Sequence, residues 1–353
     1  MRPILTRRSV LTTGAATLAI PFLCRRPARA AGQLVVRNPG GAWDETQRRY
    51  VYEPFTKETG IEVVVVASTM TKMLAMVKSG NAELDVVDGG LDGLVTLNRE
   101  NALAPIDYGS WKYADPKDVP DDYKASTTLG LALYATVLGY NKETFSEGKQ
   151  PKSWAEFWDA AKFPGPRMLE DMAASTPNLE FALIADGVPM DKLFPIDLDR
   201  AFKSMSRIKP AIKKFWDTGA LSAQMLADKD VVLGSIWNGR LEAIASKGAP
   251  VAIEWNQHML QVQAYGVFKD AKNAKAAQLF LDFAMTPNAQ LGLAKELNYG
   301  PTNRKTFDLL PAETLARLPG SPEQMKRCFI QDVNWWDANR AKVNSIWSKW
   351  ILS

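Results

Sequence analysis

The sequence has few of the residues from which most hydrolytic and metal sites are built. Among 353 residues there are two cysteines, Cys24 and Cys328, and a single histidine, His258. Neither a zinc site nor a histidine-based triad can be assembled from this set unless carboxylates supply nearly every group. The G-x-S-x-G elbow of serine hydrolases is also missing. An enzyme is therefore disfavoured, and no catalytic residue, metal or cofactor is predicted.

A hydrophobic run long enough to span a membrane is lacking at the N-terminus. The apolar stretch from Leu11 to Leu23 is broken by a glycine and a proline, and it falls short of the roughly twenty residues that a spanning helix needs. It follows the twin-arginine pattern Thr6 to Leu11 and precedes an A-x-A cleavage site at Ala28 to Ala30. These features predict that residues 1–30 are a signal peptide and that the mature protein is periplasmic.

A basic excess is absent once that segment is set aside. Six of the 43 basic residues lie in residues 1–30, which leaves 37 basic against 39 acidic residues in the remainder. A net charge of −2 gives no reason to expect a nucleic-acid partner. Only Cys328 remains, so no intrachain disulfide is expected. The length exceeds that of one ordinary core and predicts two lobes.

The stretch from Leu129 to Tyr140 is a continuous apolar run typical of a strand that is buried on both faces. After a loop, Ser153 and Glu156 have the spacing of a helix capping box. A buried strand that delivers a new helix of different composition indicates passage from one α/β lobe to another. The predicted apolar face of that helix contains Trp154, Phe157, Trp158 and Ala161.

Strand and helix patterns alternate on both sides of this passage, which predicts largely parallel sheets with ligand-binding loops outside the carboxyl ends of the strands. The loops expected to face such a crevice are Asn38 to Trp43 and Asp88 to Asp92. The C-terminal helix is expected to dock on the second lobe. In the first lobe the predicted strands are Leu34 to Arg37, Ile61 to Ala67 and Leu84 to Val87, with helices at Trp43 to Thr59 and Thr69 to Ser79; in the second, helices are predicted at Leu198 to Ile208 and Ala211 to Thr218, with a strand at Val231 to Trp237.

Four segments in this order resemble the periplasmic solute-binding proteins of ABC importers, and most closely the group that binds putrescine and spermidine. The resemblance implies a type II two-lobed α/β fold that closes on a ligand, a membrane permease and an ATPase as partners, and a monomer. It places lobe one at residues 31–138 and 254–304, and lobe two at 139–253 and 305–353. The segments are Leu129 to Asp159, Ser235 to Arg240, Ala276 to Gln290 and Leu297 to Pro311.

Aromatic residues in turns are the first group of candidate ligand contacts. Trp43, Trp237, Tyr299 and Trp336 lie beside Gly, Asn or Asp at the ends of predicted elements, where helix or strand periodicity does not require a ring. In the resembled family such rings wall the cleft and stack on an ammonium group, a contact that contributes about 0.5–2 kcal/mol. Trp335 is an alternative to Trp336 for the inward-facing ring.

Acidic residues form the second group. The resemblance implies that acids near Glu170, Asp171 and Glu180 bind the ligand's ammonium, although each could equally be a solvated surface charge. A further acid of the polyamine binders has no counterpart here, since the matching stretch contains Gln263 and Ala264. Asp92 or Asp337 are the possible substitutes.

Loop glycines support a different ligand. Gly40-Gly41, Gly89-Gly90 and Ser175-Thr176 precede or follow regular elements and could present backbone N–H groups to an anion. The candidate ligand is therefore a small cationic amine or, alternatively, a zwitterionic or anionic amino-acid-like or phosphonate solute. The predicted contacts are Trp43, Gly90, Asp92 and Tyr299 from lobe one, and Glu170, Asp171, Glu180, Trp237 and Trp336 from lobe two.

Overall fold

The computed structural model describes residues 32–81 and 83–353. The predicted signal peptide at residues 1–30, with its twin-arginine pattern, lies outside the described residues. Among the helices of the described ranges, none is long and apolar enough to cross a membrane.

One mixed β-sheet runs through the described chain. Its strands are β1 (Gly32–Arg37), β2 (Ile61–Val66), β3 (Val86–Gly90), β4 (Leu129–Asn141), β5 (Arg167–Glu170), β6 (Ile212–Trp216), β7 (Leu233–Trp237), β8 (Val251–Val267), β9 (Gly300–Pro301) and β10 (Cys328–Ile330). The strand order is β2-β1-β3-β8-β4-β7-β5-β6, with β10 beside β8 and β9 beside β4.

The sheet has two parallel parts joined by two long antiparallel strands. Strands β1, β2 and β3, here called the first half, pair in parallel. Strands β5, β6 and β7, the second half, do the same. Between them β4 and β8 run antiparallel to each other and pair with both halves. This arrangement confirms the predicted two-part α/β fold, while the lobe boundaries remain a prediction.

Helices cover both faces of the sheet. They are α1 (Ala42–Gln47), α2 (Glu53–Thr59), α3 (Met70–Ser79), α4 (Leu91–Arg99), α5 (Trp154–Trp158), α6 (Leu179–Ala185), α7 (Leu198–Ile208), α8 (Gly219–Ala227), α9 (Asn238–Ala245), α10 (Ala274–Ala284), α11 (Pro287–Leu297), α12 (Arg304–Phe307), α13 (Ala312–Leu315), α14 (Pro322–Met325) and α15 (Val333–Trp350). A π-helical turn over Arg48–Tyr52 joins α1 to α2.

Each half has its own hydrophobic core. In the first half, Leu34, Phe55 and Phe280 pack together with no exposed surface. In the second half, Trp154 stacks on Phe181 with ring centroids 3.8 Å apart. Helix α15 contributes Trp336, Val343 and Trp347 to this second core, so the C-terminal helix docks where the sequence predicts.

The buried crossing strand is also as predicted. Every residue of β4 is buried except Tyr134, which is partly exposed. Because β4 and β8 run through the middle of the sheet, a side chain at the centre of β4 lies at the junction of the two halves. Tyr134 is therefore placed where the halves meet.

Two local predictions are wrong. The segment predicted as a helix over Ala211 to Thr218 is the strand β6, which pairs with β5 at the edge of the sheet and leaves Lys213 and Lys214 exposed. Edge strands commonly carry such lysines, since their charge opposes pairing with another chain. The helix after Ser153 ends at Trp158, so Ala161 is exposed and not part of its apolar face.

Candidate functional site

A row of aromatic rings lies at the junction of the two halves. The ring centroids of Trp43 and Tyr299 are 5.9 Å apart, those of Tyr299 and Tyr134 are 6.0 Å apart, and those of Tyr134 and Trp237 are 6.4 Å apart. Trp43 is in the first turn of α1, whereas Trp237 ends β7. The structure thus brings together three of the four aromatic residues predicted from turns. Tyr134, at the centre of β4, was missed because nothing in a continuous apolar run distinguishes the position that meets the junction.

A buried carboxylate, Asp88, holds one end of this row. Asp88 has no exposed surface, and it accepts hydrogen bonds from Nε1 of Trp43 at 2.7 Å and from Nε2 of Gln263 at 2.6 Å. Burial raises the pKa of Asp88 to about 7, although both donors and the charge of Arg37 oppose that rise. Each oxygen has a donor, so Asp88 fixes the indole of Trp43. Its place at the end of β3, inside a loop predicted to face the crevice, was the available signal.

A second buried carboxylate, Glu170, ends β5 in the other half. The amide of Asn178 donates to Oε2 of Glu170 at 3.3 Å, and Ser235 in turn donates to Oδ1 of Asn178 at 2.6 Å. Oε1 of Glu170 is buried and has no hydrogen-bond donor. Burial is the main cause that raises the pKa of Glu170 well above its usual value, and nearby carboxylates, including Glu180, add to the rise.

Glu180 and Trp336 form a buried pair. Nε1 of Trp336 donates to Oε1 of Glu180 at 2.6 Å, while Oε2 has no donor, and neither residue has exposed surface. Burial raises the pKa of Glu180 to about 7. Trp335 packs at 5.9 Å against Phe194 instead. Of the two neighbouring tryptophans, Trp336 is therefore the one turned toward a buried acid.

Two further acids, Asp92 and Asp337, are already paired between helices. Asp92 of α4 accepts from Arg340 of α15 at 3.1 Å. Asp337 of α15 accepts from Arg99 at 2.8 Å and from Thr96 at 2.9 Å, both on α4. Neither acid is left free, so both tie α4 to α15.

The two remaining predicted contacts, Gly90 and Asp171, differ in their position relative to the aromatic row. Gly90 precedes α4, and a Cβ placed on it would lie 3.7 Å from the hydroxyl of Tyr134, so its backbone faces the aromatic row. Asp171 follows Glu170 but turns away into its own loop, where it accepts from the amide of Ala173 at 2.8 Å.

Helix N-termini add donors at the junction, where the carboxyl ends of the oppositely directed strands of the two halves meet. Helices α1, α4, α6 and α9 begin just beyond β1, β3, β5 and β7, and none has a side-chain cap. Their first N–H groups are therefore not satisfied by side chains, and the positive ends of their dipoles favour an anion. Nε1 of Trp237, the residue before α9, is a further buried donor without a partner.

His258 is a buried structural residue and is not part of the aromatic row. It is buried in β8, its Nδ1 lies 2.7 Å from the carbonyl oxygen of Trp255, and burial lowers its pKa to about 4. Across residues 32–81 and 83–353, no three His, Cys, Asp or Glu side chains are grouped so that they could hold a metal ion.

Rings, buried acids and donors without side-chain partners thus meet at the junction of two α/β halves. Residues 51–320 match the family model described as bacterial extracellular solute-binding protein. The chain is 30% identical over 332 residues to the gamma-aminobutyric acid-binding protein of Pseudomonas aeruginosa, covering 92% of each sequence. It is 24% identical over 306 residues to the spermidine/putrescine-binding periplasmic protein of Escherichia coli, covering 80% of this chain and 86% of that one.

Solved structures agree with the sequence matches. An ABC transporter substrate-binding protein from Bradyrhizobium japonicum superposes with a TM-score of 0.83 at 33% identity, covering 90% of this chain and 99% of the other. The chain belongs to the bacterial extracellular solute-binding protein family. It is the substrate-binding component of an ABC transporter and works with the other components of that transporter.

Proposed function

We propose that this protein captures a small zwitterion, an ω-amino acid of the 4-aminobutyrate class, in the periplasm and delivers it to an ABC importer. One observation carries the proposal. Among the buried polar atoms of the aromatic row and its surroundings, two acceptors, Oε1 of Glu170 and Oε2 of Glu180, and one donor, Nε1 of Trp237, lack partners. Buried groups of this kind cost free energy unless something binds them, and a ligand with one ammonium and one carboxylate group meets both needs.

The ammonium end is assigned to Glu170. Its carboxylate is surrounded by Asn178, Tyr134 and further acids, and no arginine or lysine of the described chain pairs with it. A bound ammonium would supply the missing positive charge and favour the ionised carboxylate. Tyr134 lies near this carboxylate and packs edge to face with Trp237, so these rings are the candidates for cation–π contact with the ammonium group.

The carboxylate end is assigned to the unsatisfied donors around the row. These are the uncapped N-termini of α1, α4 and α9, together with the indole N–H of Trp237. The φ angles of Gly40 and Gly41 are 77° and 62°, which glycine adopts readily and which shape the turn ahead of α1. The N–H of Gly40 already donates to Oδ1 of Asn38 at 2.9 Å, so this group of the predicted glycine loop is satisfied within the loop.

A diamine or polyamine is the second candidate. The cluster of acids and a relative named for spermidine and putrescine favour it. Against it, Gln263 occupies the position where the resembled group has an acid, and the possible substitutes Asp92 and Asp337 are held in ion pairs. The open oxygen of Glu180, beside that of Glu170, is the feature that favours a second ammonium group.

Ligand capture would proceed by closure of the two proposed lobes, at residues 31–138 with 254–304 and residues 139–253 with 305–353. Hydrogen bonds between α4 and α15 would stabilise the closed form. A ligand that contacts both lobes only when they are closed shifts the equilibrium toward the closed form. We further propose that the protein is a monomer that catalyses no reaction, needs no cofactor and binds no nucleic acid.

A thermal-shift and calorimetry panel tests the ligand class. 4-Aminobutyrate should raise the melting temperature, since a ligand that binds only the folded form stabilises it. Butyrate and 1-aminobutane each satisfy one end and should bind at least about tenfold more weakly. Tightest binding of putrescine or spermidine would replace the zwitterion with the second candidate, and turnover of any of these compounds would contradict the assignment as a binding protein.

A further inference from the structure

The start of α9 forms a close contact with the loop that carries Tyr299. If a Cβ were placed on Gly239, it would lie 2.5 Å from Cε1, 2.8 Å from Cζ and 2.9 Å from Oη of Tyr299. Carbon atoms make favourable contact at about 3.5–4.0 Å. The ring of Tyr299 therefore rests on the bare backbone of Gly239, in space that any other residue would fill.

A hydrogen bond beside this contact fixes its geometry. Nδ2 of Asn238 donates to the carbonyl oxygen of Asn298 at 2.7 Å, while its Oδ1 accepts from the amide of Ala135 in β4 at 2.9 Å. Asn298 ends α11 with φ of 53°, a left-handed conformation that asparagine tolerates better than most residues. Adjacent residues of α9 thus hold both the backbone and the ring of the Asn298-Tyr299 turn.

The contact joins the two halves of the protein. Tyr299 packs against the core of the first half with Trp43, whereas Leu241, two residues after Gly239, packs with Trp216 in the second half. Tyr299 also belongs to the aromatic row, 6.0 Å from Tyr134. How near the Tyr299 ring approaches α9 therefore sets the width of the site.

We infer that Asn238 and Gly239 form a seat for Tyr299 that determines how far the cleft closes and hence the length of ligand that it accepts. The inference rests on the proposed ω-amino-acid ligand. A Cβ at position 239 would push the ring back by about 1 Å before ordinary contact is restored. Such a widened site should favour a ligand with an additional methylene group.

Gly239→Ala is an informative variant because it should stabilise helix α9 locally while it weakens ligand binding. Gly239 lies in the first turn of α9 at a negative φ, where alanine has the higher helix propensity. Loss of binding without loss of folding would therefore come from the contact with Tyr299. Gly109→Ala is the matched control, since a Cβ there meets only a side-chain oxygen of Asp107 at 3.5 Å and φ is not positive.

The experiment measures calorimetric affinity for 3-aminopropionate, 4-aminobutyrate, 5-aminovalerate and 6-aminohexanoate. Relative to wild type, Gly239→Ala should bind the preferred compound about tenfold more weakly and shift the optimum toward a longer chain, while Gly109→Ala should match wild type. In a Tyr299→Ala background, Gly239→Ala should have no further effect. If Gly239→Ala bound the four compounds with the affinities of wild type and in the same order of preference, the inference that Gly239 seats Tyr299 would be wrong.

A ligand-free measurement separates this inference from the proposed function. If wild type binds none of the four compounds, the proposed ligand is wrong, and the seat is then judged by thermal unfolding of the two single variants and the double variant. Coupling between positions 239 and 299 would support the contact between the halves. Strict additivity of their effects would overturn it.

Discussion

Two buried carboxylates at the junction have opposite surroundings. Asp88 in the first half receives a donor on each oxygen, from Trp43 and Gln263. Glu170 in the second half has one oxygen bound to an amide and the other without a donor. Both are fully buried, so burial alone does not distinguish a structural acid from one that awaits a ligand. The difference lies in which lone pairs remain open, and on this basis we propose that Asp88 positions Trp43 and that Glu170 binds the ligand.

Glu170→Gln should have the largest effect on binding. It removes the charge opposite the ligand's ammonium, and losing one partner of a buried charge pair costs about 2–5 kcal/mol, so affinity for 4-aminobutyrate should fall by about 100-fold. The free energy of unfolding without ligand should change little, because the raised pKa of Glu170 already favours its neutral form in the absence of ligand and glutamine is neutral as well. Calorimetry and urea unfolding measure the two quantities, with the exposed Glu313→Gln as control. An affinity within threefold of wild type would remove Glu170 from the site.

Asp88→Asn should instead lower stability. Asparagine has one acceptor oxygen for two donors, so one buried N–H loses its partner at a cost of about 1–3 kcal/mol. Affinity should fall as well, because Trp43 loses its orientation. The control is Asp308→Asn, an exposed site. If Asp88→Asn weakened ligand binding with no change in the urea midpoint, Asp88 would be a direct ligand contact and the contrast with Glu170 would disappear.

Trp237→Ala should weaken binding at least about tenfold while the protein stays folded, since the ring forms one wall of the site and its contact with a cation contributes about 0.5–2 kcal/mol. Trp237→Phe keeps an aromatic ring and removes the indole N–H, so its affinity measures the contribution of that hydrogen-bond donor to ligand binding. Equal affinities of wild type and Trp237→Ala would show that the aromatic wall is assigned wrongly.

Glu180→Gln should alter the pH dependence of stability. Because the folded-state pKa of Glu180 is raised to about 7, above its unfolded value, the folded protein holds the proton more tightly than the unfolded chain. This group's contribution is therefore most favourable at low pH and declines as pH rises toward 7, by about 1 kcal/mol or more. Glutamine still accepts from Trp336, so the variant should lose less stability than wild type between pH 5 and 8. Parallel melting-temperature profiles would contradict this assignment.

Several features could be predicted from the sequence because local chemistry decides them. The continuous apolar run of β4 requires burial on both faces, and the Ser153 cap follows from a side-chain oxygen three residues from the N–H of Glu156. The turn positions of Trp43, Trp237 and Tyr299 likewise indicated rings that no periodic core requires. Resemblance to solute-binding proteins extended these local signals to the whole fold.

The features that the sequence did not reveal concern contacts between distant segments. Ile212–Trp216 was predicted as part of a helix, and its pairing with β5 makes it a strand. Asp92 and Asp337 each pair with an arginine on a helix far away in the chain, while their contact with a ligand stays a prediction.

The sequence by itself predicted a signal peptide and an α/β protein with aromatic and acidic residues in its turns, since composition and periodicity encode local structure and burial. Only the tertiary structure decided which acids retain an open lone pair, that Tyr134 meets the junction and that Gly239 lies under Tyr299. Each of these depends on distances between side chains of different elements, and hydrogen bonding and steric fit at such distances are properties of the folded chain.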